Sequence, residues 1–198
     1  ISGFPAEKAG LKPKDIIAEI DGSSAYDLSI SEAVAKIRGP KGTQVKLNII
    51  RNGEQKPFTI TRDQITVPSV TSKTLDGNIG YLRISRFSED TVSLSKKAAD
   101  DFKAAGVKGI VLDMRSAPGG LLDASVSVSG LWLTEGKTVL SERRGGKVIR
   151  TYKSQGPATL AGIRTVVLID EGSASASEVT AGALKDNKRA VTLGMKSF

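Results

Sequence analysis

Residues 165–178 read Thr-Val-Val-Leu-Ile-Asp-Glu-Gly-Ser-Ala-Ser-Ala-Ser-Glu. The apolar run at its start is typical of a buried strand, and the small residues after Gly172 predict the opening of a helix. A nucleophile is well placed at such a junction, because the strand fixes its position and helix-start N–H groups stabilise developing negative charge. Serine and alanine also cap and pack helix starts, so the stretch alone does not establish a site.

A second junction of this kind lies at residues 113–122, which read Asp-Met-Arg-Ser-Ala-Pro-Gly-Gly-Leu-Leu. The apolar run at 109–114 predicts a buried strand, and Pro118-Gly119-Gly120 follows its end. Consecutive glycines let backbone N–H groups converge on an anion, although a tight strand-to-helix turn has the same composition. Two such junctions at the carboxyl edge of one sheet favour a functional site.

The chain from residue 78 onward alternates between strand-like and helix-like segments. This alternation indicates the α/β class with a largely parallel sheet. One helix-like segment repeats apolar residues at i, i+4 and i+8, in Leu94, Ala98 and Phe102. The predicted strands are 79–87, 109–114, 165–169 and 190–193, and the predicted helices begin at Glu89-Asp90 and cover about 122–133 and about 175–185.

Residues 1–63 predict a smaller, mostly β unit with the shape of a half-barrel. Ser29 and Glu32 have the spacing of a capping box, and the helix that follows places Val34 and Ile37 on one face. The predicted elements are a helical turn within 4–11, a strand at 15–20, this helix, and a hairpin that turns at Asn52-Gly53.

The two units are separated by a predicted linker at 64–77, which Pro68, Asp76 and Gly77 punctuate. A short strand is predicted inside it at 65–70. We therefore expect a first domain at 1–63 and a second at 78–198.

The composition excludes several kinds of site. There are no cysteines and no histidines among the 198 residues. This rules out disulfides, a thiol nucleophile, a Ser-His-Asp triad and the usual zinc ligands. Any nucleophilic catalysis by this sequence must use a serine or threonine with a base other than histidine.

The net charge is +8, from 29 basic and 21 acidic residues. One denser basic stretch surrounds Gly145-Gly146 and is predicted to be a hairpin. A solvated surface hairpin is the simpler interpretation, and an anionic partner, nucleic acid or lipid head groups, is the alternative. With one Trp and three Tyr there is little aromatic support for nucleic acid. The basic residues of this stretch are Arg143, Arg144, Lys147, Arg150 and Lys153.

The sequence begins with Ile1 rather than Met and stops at Phe198 after a strand-like stretch. We expect both ends to be cut from a longer protein.

The first unit resembles a PDZ domain of the bacterial protease type, entered after its first strand. The resemblance lies in residues 5–22, Pro-Ala-Glu-Lys-Ala-Gly-Leu-Lys-Pro-Lys-Asp-Ile-Ile-Ala-Glu-Ile-Asp-Gly. Such domains bind an extended C-terminus beside a groove helix. The resemblance implies that this helix is around 31–38, with Val34 and Ile37 lining the groove. On any amphipathic helix the same residues would simply be core.

The second unit resembles the carboxyl-terminal processing, or tail-specific, peptidases (family S41). The resemblance lies in Gly-Tyr-Leu-Arg-Ile-Ser-Arg-Phe at 80–87, in the two junctions described above, and in Ala-Gly-Ala-Leu-Lys-Asp-Asn at 181–187. It spans essentially the whole chain, in the family's order of PDZ domain and then catalytic core. It implies a ClpP/crotonase-like peptidase core, truncated at its C-terminus, preceded by a small partial PDZ domain.

The resemblance also implies roles for individual residues. Ser175 matches the nucleophile, and the N–H groups of Gly120 and Ala176 match the oxyanion hole. Asp186 matches a position where some members carry an acidic residue that supports activity; a plain helix-end carboxylate is the alternative. The family's base is a lysine in Thr-Phe-Gly-Lys-Gly. Ser197-Phe198 matches Thr-Phe, so this lysine is expected two residues beyond the end.

The implied function is a serine endopeptidase with a Ser-Lys dyad, which cleaves protein substrates near their C-termini after PDZ-mediated recognition. The 198 residues alone are then expected to have negligible activity. A catalytically inactive PDZ scaffold on a protease-like core is the alternative. An acyl-CoA enzyme of the crotonase type shares the fold but leaves the PDZ segment unexplained.

The expected partners are protein substrates bound through their C-termini, with no nucleic acid, no cofactor and no metal. The resemblance leaves room for an adaptor and for a membrane anchor outside these residues. It implies the bacterial periplasm or cell envelope, or the thylakoid lumen for a plastid relative.

Overall fold

The computed structural model describes residues 3–198, and the chain divides into two compact units, Ile1–Val67 and Pro68–Phe198. The division lies inside the predicted linker. The strand predicted at 65–70 is wrong, because residues 62–69 contain no strand. Pro68 lacks an N–H to donate to a neighbouring strand. Regular pairing begins only at Val70, which lies opposite Ile84.

The first unit is an antiparallel sheet with two short helices. The sheet order is β2-β1-β3-β4, and its core contains Ile20, Val45, Leu47 and Ile49. The predicted helix and hairpin are present. The elements are α1 Pro5–Lys8, β1 Ile16–Ile20, β2 Ser23–Ser24, α2 Ile30–Ile37, β3 Gln44–Arg51 and β4 Glu54–Thr61.

Two polar contacts hold the ends of these elements. The Ser29 Oγ accepts from the Glu32 N–H at 3.3 Å, while a Glu32 carboxylate oxygen accepts from the Ser29 N–H at 2.8 Å, which confirms the capping box. Arg51 donates two hydrogen bonds to Asp15, at 2.6 and 2.7 Å, and so ties β3 to the start of β1. These bonds lower the pKa of Asp15 to about 2.

The second unit is a five-stranded sheet with three helices and a separate two-stranded ribbon. The sheet order is β11-β10-β7-β6-β5, parallel except for the edge strand β5, and this confirms the α/β prediction. The elements are β5 Val70–Leu75, β6 Ile79–Ile84, α3 Thr91–Ala104, β7 Gly109–Asp113, α4 Leu122–Ser129, β8 Thr138–Arg144, β9 Lys147–Lys153, β10 Arg164–Ile169, α5 Ala176–Asp186 and β11 Ala190–Gly194.

Three predicted elements of this unit differ from those observed. Strand β6 ends at Ile84 instead of continuing to Phe87. Strand β5 lies inside the predicted linker. Its sequence, Val-Thr-Ser-Lys-Thr-Leu, carries little apolar signal, and only one of its residues is buried. Helix α4 ends at Ser129 instead of continuing to about Leu133. The chain there tightens into turns in which Leu131 N–H donates to Val128 and Trp132 N–H donates to Ser129.

The core of the second unit sets the position of the two junctions. Leu82, Leu112 and Val167 are buried on three neighbouring strands, and the indole N–H of Trp132 donates to Thr165 Oγ1 at 2.9 Å. Strands β7 and β10 are parallel and in register from Gly109 to Asp113. The loops that follow them therefore leave the same edge of the sheet, side by side.

Candidate active site

The loops after β7 and β10 are joined by hydrogen bonds. An Asp170 carboxylate oxygen accepts from the Ser116 N–H at 2.7 Å, and the Ala117 carbonyl accepts from the Ala174 N–H at 3.1 Å. The Ser173 hydroxyl donates to the Met114 carbonyl at 2.9 Å. The structure thus brings together the two junctions that the sequence singles out.

Ser175 occupies a strained position at the start of α5. Its φ is 52° and its ψ is −118°, outside the regions that a serine ordinarily adopts. Such conformations cost about 1–3 kcal/mol and are concentrated at functional sites. The neighbouring Ser173 and Ser177 are buried and donate to carbonyls of the first loop, at 2.9 and 2.8 Å. Ser175 is exposed, so it is the serine of this run that a substrate can reach.

The Gly119-Gly120 turn lies directly against the loop that carries Ser175. Both glycines have positive φ, 96° and 138°. A Cβ added at Gly119 would lie 2.6 Å from the Ala174 carbonyl oxygen and 2.8 Å from Ser175 Cβ. The turn is held in place by Phe87, whose N–H donates to the Gly119 carbonyl at 2.7 Å. Only a residue without a side chain fits between the two loops.

The backbone N–H groups of Gly120 and Ala176 are the ones predicted to form an oxyanion hole. Within residues 3–198, neither the Gly120 N–H nor the Ala176 N–H donates to a protein oxygen. Ala176 is the first residue of α5, where N–H groups have no partner inside the helix. Ala176 directly follows Ser175, and Gly120 directly follows Gly119, which approaches Ser175 and Ala176 closely. This arrangement can stabilise a tetrahedral acyl intermediate.

Glu178 connects Ser175 to the last residues of the chain, and the sequence reasoning missed it. One carboxylate oxygen accepts from the Ser175 N–H at 2.9 Å, and the other accepts from the Ser197 hydroxyl at 2.8 Å. The Phe198 N–H also donates to the Ser173 carbonyl at 3.1 Å. The spacing of Ser175 and Glu178 is that of a capping box, a signal that was available in the sequence.

A buried ionic cluster lies at the carboxyl end of the central strand β7. Asp113 is fully buried and accepts from the Tyr81 hydroxyl at 2.6 Å and from the Arg115 guanidinium at 2.7 Å, with Arg83 at 3.3 Å. Burial opposes ionisation of Asp113, but the bonds from Arg115 and Tyr81 outweigh it and hold the pKa below its usual range. The cluster fixes the start of the loop that carries Gly119.

The remaining predicted site residues are Asp186 in the second unit and Val34 and Ile37 in the first. Asp186 is exposed at the far end of α5, about 16 Å along the helix axis from Ser175 at 1.5 Å per residue. On α2, Ile37 packs against the core of the first unit, whereas Val34 is 37% exposed and available to a ligand. The role of Val34 and Ile37 in peptide binding stays a prediction.

Across residues 3–198, no group of three or more acidic side chains is arranged to hold a metal ion. The same residues contain no helix long and apolar enough to span a bilayer.

We predict that Asp170 stabilises the contact between the two loops. Its carboxylate accepts from the N–H groups of Ser116 and Gly172, at 2.7 and 3.0 Å, and the Ser116 bond is the main cause of its lowered pKa. Asp170→Ala leaves both N–H groups without this acceptor and should lower the free energy of unfolding by about 1–3 kcal/mol. Urea unfolding of the chain at pH 7 measures the change.

Two further variants make this prediction specific. Asp170→Asn keeps an acceptor oxygen and should lose less than half as much stability. Asp76→Ala changes an exposed turn residue and should be nearly neutral. Equal effects of Asp170→Ala and Asp76→Ala would contradict the assignment.

Comparisons with known proteins identify the family of this chain. Residues 78–198 match the model of peptidase family S41, and residues 1–51 match that of a PDZ domain. The chain is 40% identical over its whole length to the carboxyl-terminal-processing protease of Synechocystis sp., and 39% identical to the carboxy-terminal processing protease CtpA of Bacillus subtilis. It spans 47% and 42% of those two proteins, which is less than half of their length.

Solved structures give the same fold. The photosystem II D1 C-terminal processing protease has a TM-score of 0.63 at 30% identity, over 98% of this chain and 54% of that one. A putative S41 protease from Bacteroides fragilis has a TM-score of 0.60 at 20% identity, over 100% of this chain and 57% of that one. The family model covers the greater part of the sequence, including both loops of the site. The chain therefore belongs to peptidase family S41, with a PDZ domain in front of a ClpP/crotonase-like peptidase core.

Proposed function

We propose that the complete protein is a serine endopeptidase that cleaves protein substrates near their C-termini. The observation that carries this proposal is the exposed, strained Ser175 with the Gly119-Gly120 turn packed against it. The relatives at about 40% identity are named as carboxyl-terminal processing proteases, which supports the choice of substrate. The localisation we propose is the bacterial envelope, or the thylakoid lumen for a plastid protein.

In the proposed reaction, the Ser175 hydroxyl oxygen attacks the carbonyl carbon of the scissile peptide and passes its proton to a base. The negative charge moves to the carbonyl oxygen, where the Gly120 and Ala176 N–H groups bind it. The C–N bond then breaks as the amine takes up the proton, and an acyl-enzyme on Ser175 remains. Water hydrolyses this ester and restores the hydroxyl.

The base that we propose is a lysine two residues after Phe198. The contacts of Glu178 support this placement. Its carboxylate accepts hydrogen bonds from both the Ser175 N–H and the Ser197 hydroxyl, and so holds the residues before the proposed lysine close to Ser175. A lysine accepts a proton only when neutral, so burial among apolar groups must lower its pKa. Within residues 3–198, no side chain forms a hydrogen bond with the Ser175 hydroxyl, which leaves that hydroxyl accessible to the proposed lysine.

The PDZ unit is proposed to deliver the substrate C-terminus. Such domains add an extended peptide beside a helix, and the exposed Val34 on α2 is the residue we expect the peptide to touch. An inactive PDZ scaffold remains the second candidate, favoured by the exposed Val34 on α2, which could contact a peptide without any catalysis.

Covalent labelling distinguishes these two functions. The full-length protein is incubated with a fluorophosphonate, and peptides are mapped by mass spectrometry. We expect one phosphonate per chain on Ser175 in the full-length protein, together with cleavage of an unfolded test protein near its C-terminus. The 198-residue chain should be labelled at least about 100-fold more slowly, because it lacks the base. Binding of a C-terminal peptide by the full-length protein without labelling or cleavage would instead establish the scaffold.

A further inference from the structure

The ribbon formed by β8 and β9 carries an uncompensated positive charge. Residues 137–153 contain six basic residues and one acidic residue, Glu142. Within residues 3–198 none of these cations forms an ion pair with a carboxylate. Concentrated like charge is costly unless an opposite charge is nearby. The six basic residues are Lys137, Arg143, Arg144, Lys147, Arg150 and Lys153.

The tip of the ribbon combines this charge with exposed aliphatic side chains. Arg143, Arg144 and Lys147 flank the Gly145-Gly146 turn and are exposed. The next two residues, Val148 and Ile149, are 50% and 54% exposed, although they lie in a strand. Every residue from Arg143 to Thr151 is exposed, so the tip has no contact with a core.

We propose that the tip, residues 143–149, binds an anionic lipid surface. Cations attract the negatively charged head groups, while the valine and isoleucine side chains can enter the boundary between head groups and acyl chains. The tip has aliphatic rather than aromatic residues, which does not suit stacking on nucleic acid bases. The nearest aromatic ring, Tyr152, is already covered by the Arg150 guanidinium at 4.4 Å. This proposal is independent of the peptidase function.

Vesicle sedimentation of the 198-residue chain tests the proposal. The probes are vesicles of phosphatidylcholine alone and vesicles with about one third phosphatidylglycerol. We expect binding to the anionic vesicles only, weakening steeply as salt rises from low to several hundred millimolar. The variant Arg143→Gln/Arg144→Gln/Lys147→Gln should bind roughly 30-fold more weakly or worse. The variant Val148→Ser/Ile149→Ser should bind roughly 5-fold more weakly with an unchanged salt dependence.

A control variant with the same net charge as the tip variant tests whether the position of the lost charges matters. Lys97→Gln/Lys103→Gln/Lys108→Gln removes three exposed cations elsewhere in the same unit, and should weaken binding less than about 3-fold. Circular dichroism should show unchanged folding of all variants, because every substituted residue is exposed.

Three results would overturn the proposal. The first is no binding of the unaltered chain to anionic vesicles. The second is equal loss of binding by the tip variant and its control, which would indicate net charge alone. The third is tighter binding to a short DNA duplex than to the vesicles, abolished by the same tip substitutions, which would make nucleic acid the partner.

Discussion

Ser175→Ala in the full-length protein should reduce peptide-bond cleavage by at least about 10⁴-fold, because the attacking oxygen is removed. The fold should be unaffected, since Ser175 is exposed and its backbone N–H can still donate to Glu178. Alanine at a φ of 52° is as strained as serine, but it lacks the capping oxygen at the start of α5, so the free energy of unfolding should fall by about 0.5–1 kcal/mol. Initial rates on an unfolded test protein and urea unfolding measure the two quantities.

The same run of residues supplies the matched controls. Ser173 and Ser177 are buried and donate to the carbonyls of Met114 and Ala117. Ser173→Ala and Ser177→Ala should each lower stability by about 1–2 kcal/mol while keeping much of the cleavage rate. If Ser175→Ala retains activity and either control loses it, the nucleophile has been assigned to the wrong serine.

Gly119→Ala should impair both folding and catalysis. The new Cβ would lie 2.6 Å from the Ala174 carbonyl oxygen and 2.9 Å from the Ala176 nitrogen, and both atoms belong to backbone that cannot rotate away. The two loops would have to separate, which moves the Gly120 N–H relative to Ser175. A displacement of about 1 Å can cost 10²-fold in rate. We expect this loss in cleavage by the full-length protein, together with a loss of about 2–4 kcal/mol in stability.

The control variant Gly162→Ala introduces similar backbone strain without the clash between the loops. Gly162 has a φ of 86°, close to the 96° of Gly119, but a Cβ at Gly162 would meet nothing within 4 Å. The variant should therefore lose only about 1 kcal/mol and keep its cleavage rate. Equal effects of the two substitutions would show that strain, rather than contact between the loops, explains the Gly119 result.

The sequence predicted the parallel sheet and the meeting of the two loops at its carboxyl edge, because both depend on short-range patterns. The apolar runs at 109–114 and 165–169 indicate where buried strands leave the sheet, and parallel strands bring those ends together. Each of the two stretches alone also fits a helix cap or a tight turn, and their occurrence at the same edge of the sheet is what favours a site. Because β7 and β10 pair in parallel register, the loops that follow them lie next to each other.

Features set by long-range contacts were not predicted. Strand β5 has an alternation too weak to recognise, and it is a strand because β6 offers it a partner along its whole length. The cluster around Asp113 joins side chains from two strands and a loop, so its charges looked unrelated in the sequence. The bond between Glu178 and Ser197 spans 19 residues and depends on how the chain returns after β11.

The pairing of β7 with β10 also has a consequence for the order of folding. The two loops of the site are separated by more than 50 residues, so they meet only after a long segment has closed, and such non-local contacts form slowly. A nascent chain in which only β6 and β7 have paired possesses the glycine turn but no serine beside it. We therefore expect the contact between Gly119 and Ser175 to form late in folding, when β10 pairs with β7.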